Sequence, residues 1–323
     1  MFSYILRRFL YMIPILIIVS ILSFTIIKLQ PGEFGSQYLK NPNISAENIE
    51  EMRARLGLDK PAYMQYLQWV KGIVTEWDFG YSFTYKRPVS ELIGERMMWT
   101  IAVALSTMLF TWTLGIPIGI FSATHKYSVF DHILTFIGFL GMSIPNFFLA
   151  LILMFIVIQN GGTSVGGLFS SEFIGQPWSI AKFIDLLKHI WIPMIAIGTA
   201  GTATILRQMR GNLFDVLRQQ YITTARAKGL KERKVIYKHA VRNAINPLIS
   251  ILGMRIPYLI SGTIISSIVL NLPTMGPFFY DSLLNHDQYV VMTFLMFSAF
   301  LMIVGNLIAD ILLALVDPSI RYD

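Results

Sequence analysis

No cysteine occurs in the 323 residues, so disulfides, thiolate nucleophiles and cysteine-ligated metals are excluded. Glycine is never followed by lysine, which removes the GxxxxGK[ST] phosphate loop and the nucleotide chemistry that depends on it. There is no HExxH pair and no Ser/His/Asp pattern. His125 and His132 stand seven apart near a turn with only Asp131 beside them, a poor basis for a metal site. Charge is scarce as well: 14% of residues are charged, against about 25% in soluble domains. What fills the space is apolar, 54% of the chain, with a mean hydropathy of +0.57. The net charge of +7 would raise nucleic acid as a partner of a soluble protein. In a chain this apolar the distribution of charge matters more than its sign, and no nucleic acid is expected.

About 20 apolar residues cross a bilayer as a helix. Six such runs are present, at 9–29, 98–122, 133–158, 190–208, 247–270 and 290–315. The first follows Arg7 and Arg8 and is too long for a signal peptide's apolar core of roughly 7–15 residues. It is expected to remain as a membrane helix. The predicted fold is all-α and polytopic, with six transmembrane helices and a folded outer segment between the first two.

Orientation follows from Lys and Arg in the short loops. Between 207 and 242 there are ten cations, among them Arg218, Arg226, Lys228 and Lys231, against Asp215 and Glu232. That excess of eight exceeds the charge of the whole chain. The loop 271–289 holds Asp281 and Asp287 and no cation. The basic loop is therefore placed inside, 271–289 outside, and both termini inside. In the outer segment 31–97, Ser45 and Gly57 bracket one predicted helix, and Pro61 opens a second with Tyr63, Tyr66, Leu67 and Val70 on one face. A turn-rich stretch follows, and Pro88 opens a third helix. This segment reads either as a cap on the membrane domain or as a docking surface for an external partner.

The basic loop is too patterned to be formless. Residues 221–228 have helical composition and end at Gly229, a C-cap residue. A second helix over 231–244 is expected to stop near Asn246-Pro247, because the residue before proline avoids the helical region. Two short helices between spans make either a rigid protrusion, with Ala225, Ala227 and Gly229 small enough for close approach, or a plain positive-inside loop.

Ionisable side chains within spans need a reason, since each costs roughly 2.5–3.5 kcal/mol at a helix centre. Arg255 and Asp310 lie at similar depth from the inner side and can pair, or each can reach water alone. Pro14, Pro117, Pro145, Pro193 and Pro257 interrupt the spans as hinges or as tolerated bends. Gly115 and Gly119 flank Pro117 with the spacing that allows close helix packing.

The stretch "TTARAKGL…HAVRNAINP", 223–247, resembles the inner loop of ABC importer permeases in its oligopeptide/dipeptide form. "FGYSF", "RPVSELIGER", "GIPIGI", "MSIPNFFLALILMF" and "IADILLALVDPSIR" resemble other parts of that family, so the likeness covers nearly the whole chain. It implies the type I importer permease fold: a first helix at 1–30, an outer segment at 31–97, a permease core at 98–316 with the coupling loop 209–246, and an inner tail at 317–323. It implies a loop seated on a separate ATPase, with Thr224, Ala225, Ala227, Lys228, Gly229 and Leu230 in contact and Tyr221 and Lys231 at the margins. The chain itself would bind no cofactor, ATP and Mg being held by two ABC ATPase subunits. The other implied partners are a second homologous permease forming a heterodimer and an external solute-binding protein, in the inner membrane of a prokaryote. Family members often carry Glu where Ser267 stands here. The cargo is expected to be peptides, with oligosaccharides or nickel as alternatives. From another class, a secondary transporter would show internal repeats and midplane coupling charges, and neither is clear.

Overall fold

The protein is described here from a computed structural model covering residues 2–29, 59–82, 84–162, 166–261 and 263–316. The predicted helix between Ser45 and Gly57 and the inner tail lie outside these residues. In chain order the elements are α1 (Phe2–Leu29), α2 (Ala62–Glu76), β1 (Tyr81–Ser82), β2 (Arg87–Pro88), α3 (Val89–Thr124), α4 (Val129–Ser143), α5 (Asn146–Gln159), a 3₁₀ turn (Ser171–Phe173), α6 (Ile180–Leu217), α7 (Gln220–Ala227), a helical stretch α8 (232–244), α9 (Asn246–Ser261), α10 (Ile264–Val269), α11 (Met275–Leu284) and α12 (Gln288–Val316). They form two compact units, one of residues 2–100 and 274–301, the other of 101–273 and the chain from 302 onward.

Three helices among the described residues are long and apolar enough to cross a membrane: 10–29 of α1, α3, and 288–313 of α12. A fourth such segment is α4 with α5, bent by 101°. The predicted run 133–158 is thus two helices, not one. Pro145 lacks the N–H that would continue α4. Ile144 before it is extended (φ −85°, ψ 122°), as a residue preceding proline prefers to be. Pro14, Pro117, Pro193 and Pro257 stay inside continuous helices. The runs 190–208 and 247–270 fall within α6 and across α9 and α10.

In the unit built from 2–100 and 274–301, α2 packs on α1 and α12 through Trp69, Ile27, Val291 and Met292, with Tyr66, Val70 and Ile73 alongside. The buried face is therefore 66, 69, 70 and 73. Tyr63 and Leu67, expected on it, are exposed. Trp69 draws the helix round, because its large ring is buried while its indole N–H donates to the Phe79 carbonyl at 3.2 Å. Pro88 ends the two-residue antiparallel ladder, in which Tyr81 faces Pro88 and Ser82 faces Arg87, and α3 starts at the next residue. Arg96 lies with its guanidinium carbon 4.1 Å from the Phe278 ring centroid and 5.3 Å from that of Tyr85. The Thr100 hydroxyl accepts the Met275 amide at 2.8 Å, capping α11.

Asp287 closes this unit. Its Oδ2 accepts the Ser82 hydroxyl at 2.5 Å and the Thr84 amide at 3.4 Å, while its Oδ1 is buried without a partner. Burial pushes the carboxyl above its ordinary value, although the Ser82 and Thr84 hydrogen bonds oppose the rise. With the folded value above the unfolded one, stability is greatest below the unfolded carboxylate value and falls as pH rises through the folded one. Asp287→Asn keeps an acceptor for Ser82 and removes the buried charge. Thermal unfolding of the purified protein is expected to show a flatter pH profile for Asp287→Asn, with no loss of stability at neutral pH. Asp287→Ala, which leaves Ser82 without its acceptor, is expected to melt earlier.

Candidate functional site

The remaining unit carries the basic loop, and its geometry begins with a helix cap. Gly229 has φ +73°, the left-handed conformation that glycine adopts at no steric cost. Its amide donates to the Arg226 carbonyl at 2.9 Å, and the Leu230 amide donates to Ala225 at 3.4 Å. These two bonds are the Schellman motif, and Leu230 packs on the same apolar cluster as Ala225. The Ala-x-Ala-x-Gly-Leu pattern is therefore first a helix terminus. Ala225, expected to face a partner, points inward with Ile222 and is 8% exposed. Three residues apart, the two share one helical face.

The outward face is a smaller set. Thr224, Ala227, Lys228, Gly229 and Lys231 are exposed, and Tyr221 is partly so. The Tyr221 hydroxyl accepts the Asn243 side-chain amide at 2.7 Å, tying α7 to the far end of α8. Arg226 in the last turn of α7 holds Glu232 in the first turn of α8 through two bonds of 2.6 and 3.1 Å. Both charges also suit the helix dipoles at their positions. The Arg226 hydrogen bond keeps the Glu232 carboxyl below its ordinary value. An exposed pair of this kind contributes little stability, so it sets the angle of the elbow more than its strength.

Residues Val235–Ala240 form a π-helical turn inside α8, which sequence reasoning missed. In a regular α-helix, positions five apart lie about 140° round the axis. Bonding five residues apart instead brings Val235 and Ala240 onto one face, where both are fully buried. They join Ile222 and Ala225 of α7, Ala244 of α8, Leu248 of α9, Ile205, Met209 and Leu213 of α6, and Ile120 and Ala123 of α3 in one apolar cluster. The knuckle formed by α7 and α8 is thus bedded on the ends of three long helices. Its second helix ends at Ala244, and Ile245 is the single turn residue before α9, with Pro247 in that helix's first turn.

Glycine sets the contact between α3 and α6. A Cβ at Gly115 would lie 2.8 Å from Ile205 Cγ2 and 3.1 Å from the Thr202 carbonyl; at Gly119, 2.7 Å from Met209 Cβ and 2.9 Å from the Leu206 carbonyl. From the other side, a Cβ at Gly198 would meet Phe110 at 2.7 Å, and one at Gly201 would meet Thr111 at 3.2 Å. Positions rise together on both helices, so α3 and α6 run parallel along a glycine-lined seam. On α4, Gly138 faces Ala203 and Leu206 while Gly141 faces Thr199, which makes α4 antiparallel to α6. Arg210 pins that contact with bonds of 2.9 and 2.8 Å to the two oxygens of Asp131, a fully buried carboxylate. The pair was not foreseen, although Ser128-x-x-Asp131 has the spacing of a helix-start box and Ser128 does cap α4.

Of the other sequence-derived sites, Pro117 sits in α3 between the two seam glycines, Pro193 is buried in α6, and Pro145 marks the break. Pro257 lies in α9. Asp310 is half-buried in α12, and the side chain of Arg255 lies outside the described residues. Ser267 is buried in α10.

The unit is an apolar helical assembly that carries a basic knuckle bedded on its longer helices. Residues 115–322 match the family described as binding-protein-dependent transport system inner membrane component, and residues 1–104 match the N-terminal part of that membrane component. The chain belongs to this family. It is 41% identical over 324 residues to the oligopeptide transport system permease protein AppB of Bacillus subtilis, covering all of both chains. It is 33% identical over 338 residues to the dipeptide transport system permease protein DppB of Alkalihalophilus pseudofirmus, again covering all of both. With DppB of Escherichia coli K12 it shares 32% over 338 residues, covering all of this chain and 99% of the other. It is an integral membrane transport component of the oligopeptide/dipeptide permease type, not an enzyme.

The seam predicts a contrast between two glycines of the same helix. Gly119→Ala is expected to destabilise the protein by about 1–3 kcal/mol, because backbone as well as side chain must shift. Gly94→Ala meets nothing within 4 Å and is expected to gain roughly 0.5–1 kcal/mol from helix propensity. Melting temperatures of the two purified variants check both signs.

Proposed function

We propose that this chain is the membrane-spanning half of a peptide importer, driven by a separate ATPase that seats on the α7–α8 knuckle. The observation that carries this is the common apolar cluster of the knuckle with α3, α6 and α9. A push on α7 has no soft joint in which to dissipate before it reaches the long helices. The exposed set for the contact is Thr224, Ala227, Lys228, Gly229 and Lys231, with Tyr221 at its margin, while Ala225 and Leu230 hold the knuckle from beneath. Lys228 and Lys231 suit an acidic groove on the partner. With no phosphate loop in this chain, ATP and Mg belong to two partner subunits.

Six crossings with both termini inside remain the reading that fits the charges. The parallel run of α3 and α6 supports it, because the chain between two parallel spans must cross once more, and α4 with α5 supplies that crossing. On this reading 1–30, 31–97, 98–316 and 317–323 are the first helix, the outer segment, the permease core and the inner tail, in the inner membrane of a prokaryote. A second, related permease completes the path, and a solute-binding protein delivers cargo from outside. Peptides are favoured as that cargo because the relatives are named for oligopeptide and dipeptide transport. The oligosaccharide and nickel alternatives have no such support. An Arg255–Asp310 pair linking α9 to α12 stays part of the proposal.

The chain's lack of cysteine makes the knuckle directly testable. Lys228→Cys is expected to react with a membrane-impermeant maleimide only when the inner face is open to it, and to crosslink to the ATPase subunit in the native complex. Labelling of Lys228→Cys in intact cells from outside would contradict the orientation. Inner-face labelling with no crosslink to the ATPase would contradict the coupling role.

A further inference from the structure

We propose that a cavity at the break between α4 and α5 receives the C-terminal carboxylate of a peptide in transit, an inference that rests on the peptide-import reading above. The cavity is partly open, has a volume of about 110 Å³ and is lined by Thr107, Thr111, Asn146, Gly201, Thr204 and Tyr258, among others. That volume is a few waters' worth, enough for a terminal group and not for a whole peptide.

Its depth is the first argument. Thr107 and Thr111 flank the centre of the run 98–122, Asn146 is at the centre of 133–158, Gly201 is near that of 190–208, and Tyr258 is at that of 247–270. The four runs that compose most of this unit meet there at mid-depth. Non-helical backbone at such depth is tolerated beside a cavity, and Asn146, the residue that follows the break at Pro145, lines this one.

The second argument is Thr107. A hydroxyl in a membrane helix ordinarily bonds back to the carbonyl four residues before it. Thr199, Thr202 and Thr204 all do so, at 2.6, 2.9 and 2.9 Å. Thr111 finds the Gly198 carbonyl at 3.3 Å. Thr107 is 2% exposed and its hydroxyl has no partner. A buried polar group left alone is costly, so an unpartnered hydroxyl on a residue that lines this cavity calls for a ligand.

The third argument concerns the ligand's charge. The lining holds no Asp, Glu, Lys, Arg or His. The start of α5 reaches it through Asn146, and no side chain caps that 14-residue helix. A helix N-terminus favours negative charge and its first amides are donors. An ammonium would meet the wrong end of that dipole, whereas a carboxylate meets the dipole, the Thr107 hydroxyl and the Asn146 amide. The absence of a full counter-charge suits passage, since a transported group must leave as readily as it enters. A C-terminal carboxylate is also the one anionic feature shared by every linear peptide, so such a site is indifferent to cargo sequence.

The test uses the intact importer, with its ATPase and binding-protein partners, in proteoliposomes. Uptake of trialanine is compared with uptake of trialanine amide, each supplied on saturating binding protein so that delivery does not discriminate. Wild type is expected to favour the free acid. Thr107→Val and Asn146→Leu are each expected to cut free-acid uptake roughly tenfold, the loss of one hydrogen bond to a charged group, and to leave amide uptake little changed. Thr107→Ser, which keeps the hydroxyl, is expected to retain the preference. An acid-to-amide ratio equal in wild type and both variants overturns the carboxylate site while leaving peptide import standing. Failure of wild type to import either peptide removes the peptide reading itself. Should Thr107→Val fail to assemble, Asn146→Leu decides alone, because Asn146 is only half-buried at the helix start.

Discussion

Everything in the unit that carries the knuckle depends on one close contact, the parallel crossing of α3 and α6. In lipid there is little hydrophobic gain from bringing helices together, so packing must supply the attraction. Four glycines on two facing surfaces let the backbones approach until an added methyl group would collide with the neighbouring helix. The seam then runs without a break into the apolar cluster under the knuckle, through Ile205, Met209 and Leu213. Packed interiors switch between arrangements more readily than they deform. On the proposed reading, a displacement of α7 passes to α3 and α6 as a movement of the whole body.

The arrangement also explains why the loop is more elaborate than its charge alone requires. A positive loop suffices to set topology. Holding two short helices at a fixed angle takes a left-handed glycine, two reciprocal backbone bonds, the Arg226–Glu232 clasp and a π turn. Residues that look like contact points by composition divide into anchors, Ala225 and Leu230, and an exposed face of Thr224, Ala227, Lys228, Gly229 and Lys231. The Asp131–Arg210 pair plays the same part between α4 and α6. Asp131 accepts the Tyr127 amide at 3.0 Å as well as the guanidinium, so the buried charge is paired and hydrogen-bonded.

Much of this was legible in sequence where the signal is local. Gly229 marks the end of α7 because only glycine sits in that conformation without strain. Pro88 marks a boundary because proline removes a donor, whereas Pro145, read as a bend within one span, ends a helix outright. Long apolar runs declare themselves. What was not legible depends on partners distant in sequence. The inward turn of Ala225 is decided by Ile222 and by α6. The burial of Trp69 in place of Tyr63 and Leu67 is decided by α1 and α12. Arg210 meets Asp131 across 79 residues, and nothing in either local sequence names the other. The π turn is invisible in composition, since it answers the shape of a cluster drawn from five elements. Thr107 resembles every other membrane threonine until its lack of a partner is seen.

The central claim, that the knuckle and the ends of α3 and α6 on which it is bedded move as one body, is tested most directly by distance. The cysteine-free chain accepts a spin-label pair at Lys228 and His125, and a second pair joining Lys228 to the companion permease, both in the native complex. Between the nucleotide-free and ATP-trapped states, the account predicts an unchanged distance within this chain and a changed distance between the two permeases. A nucleotide-dependent change within the chain, with the distance between permeases constant, would contradict it.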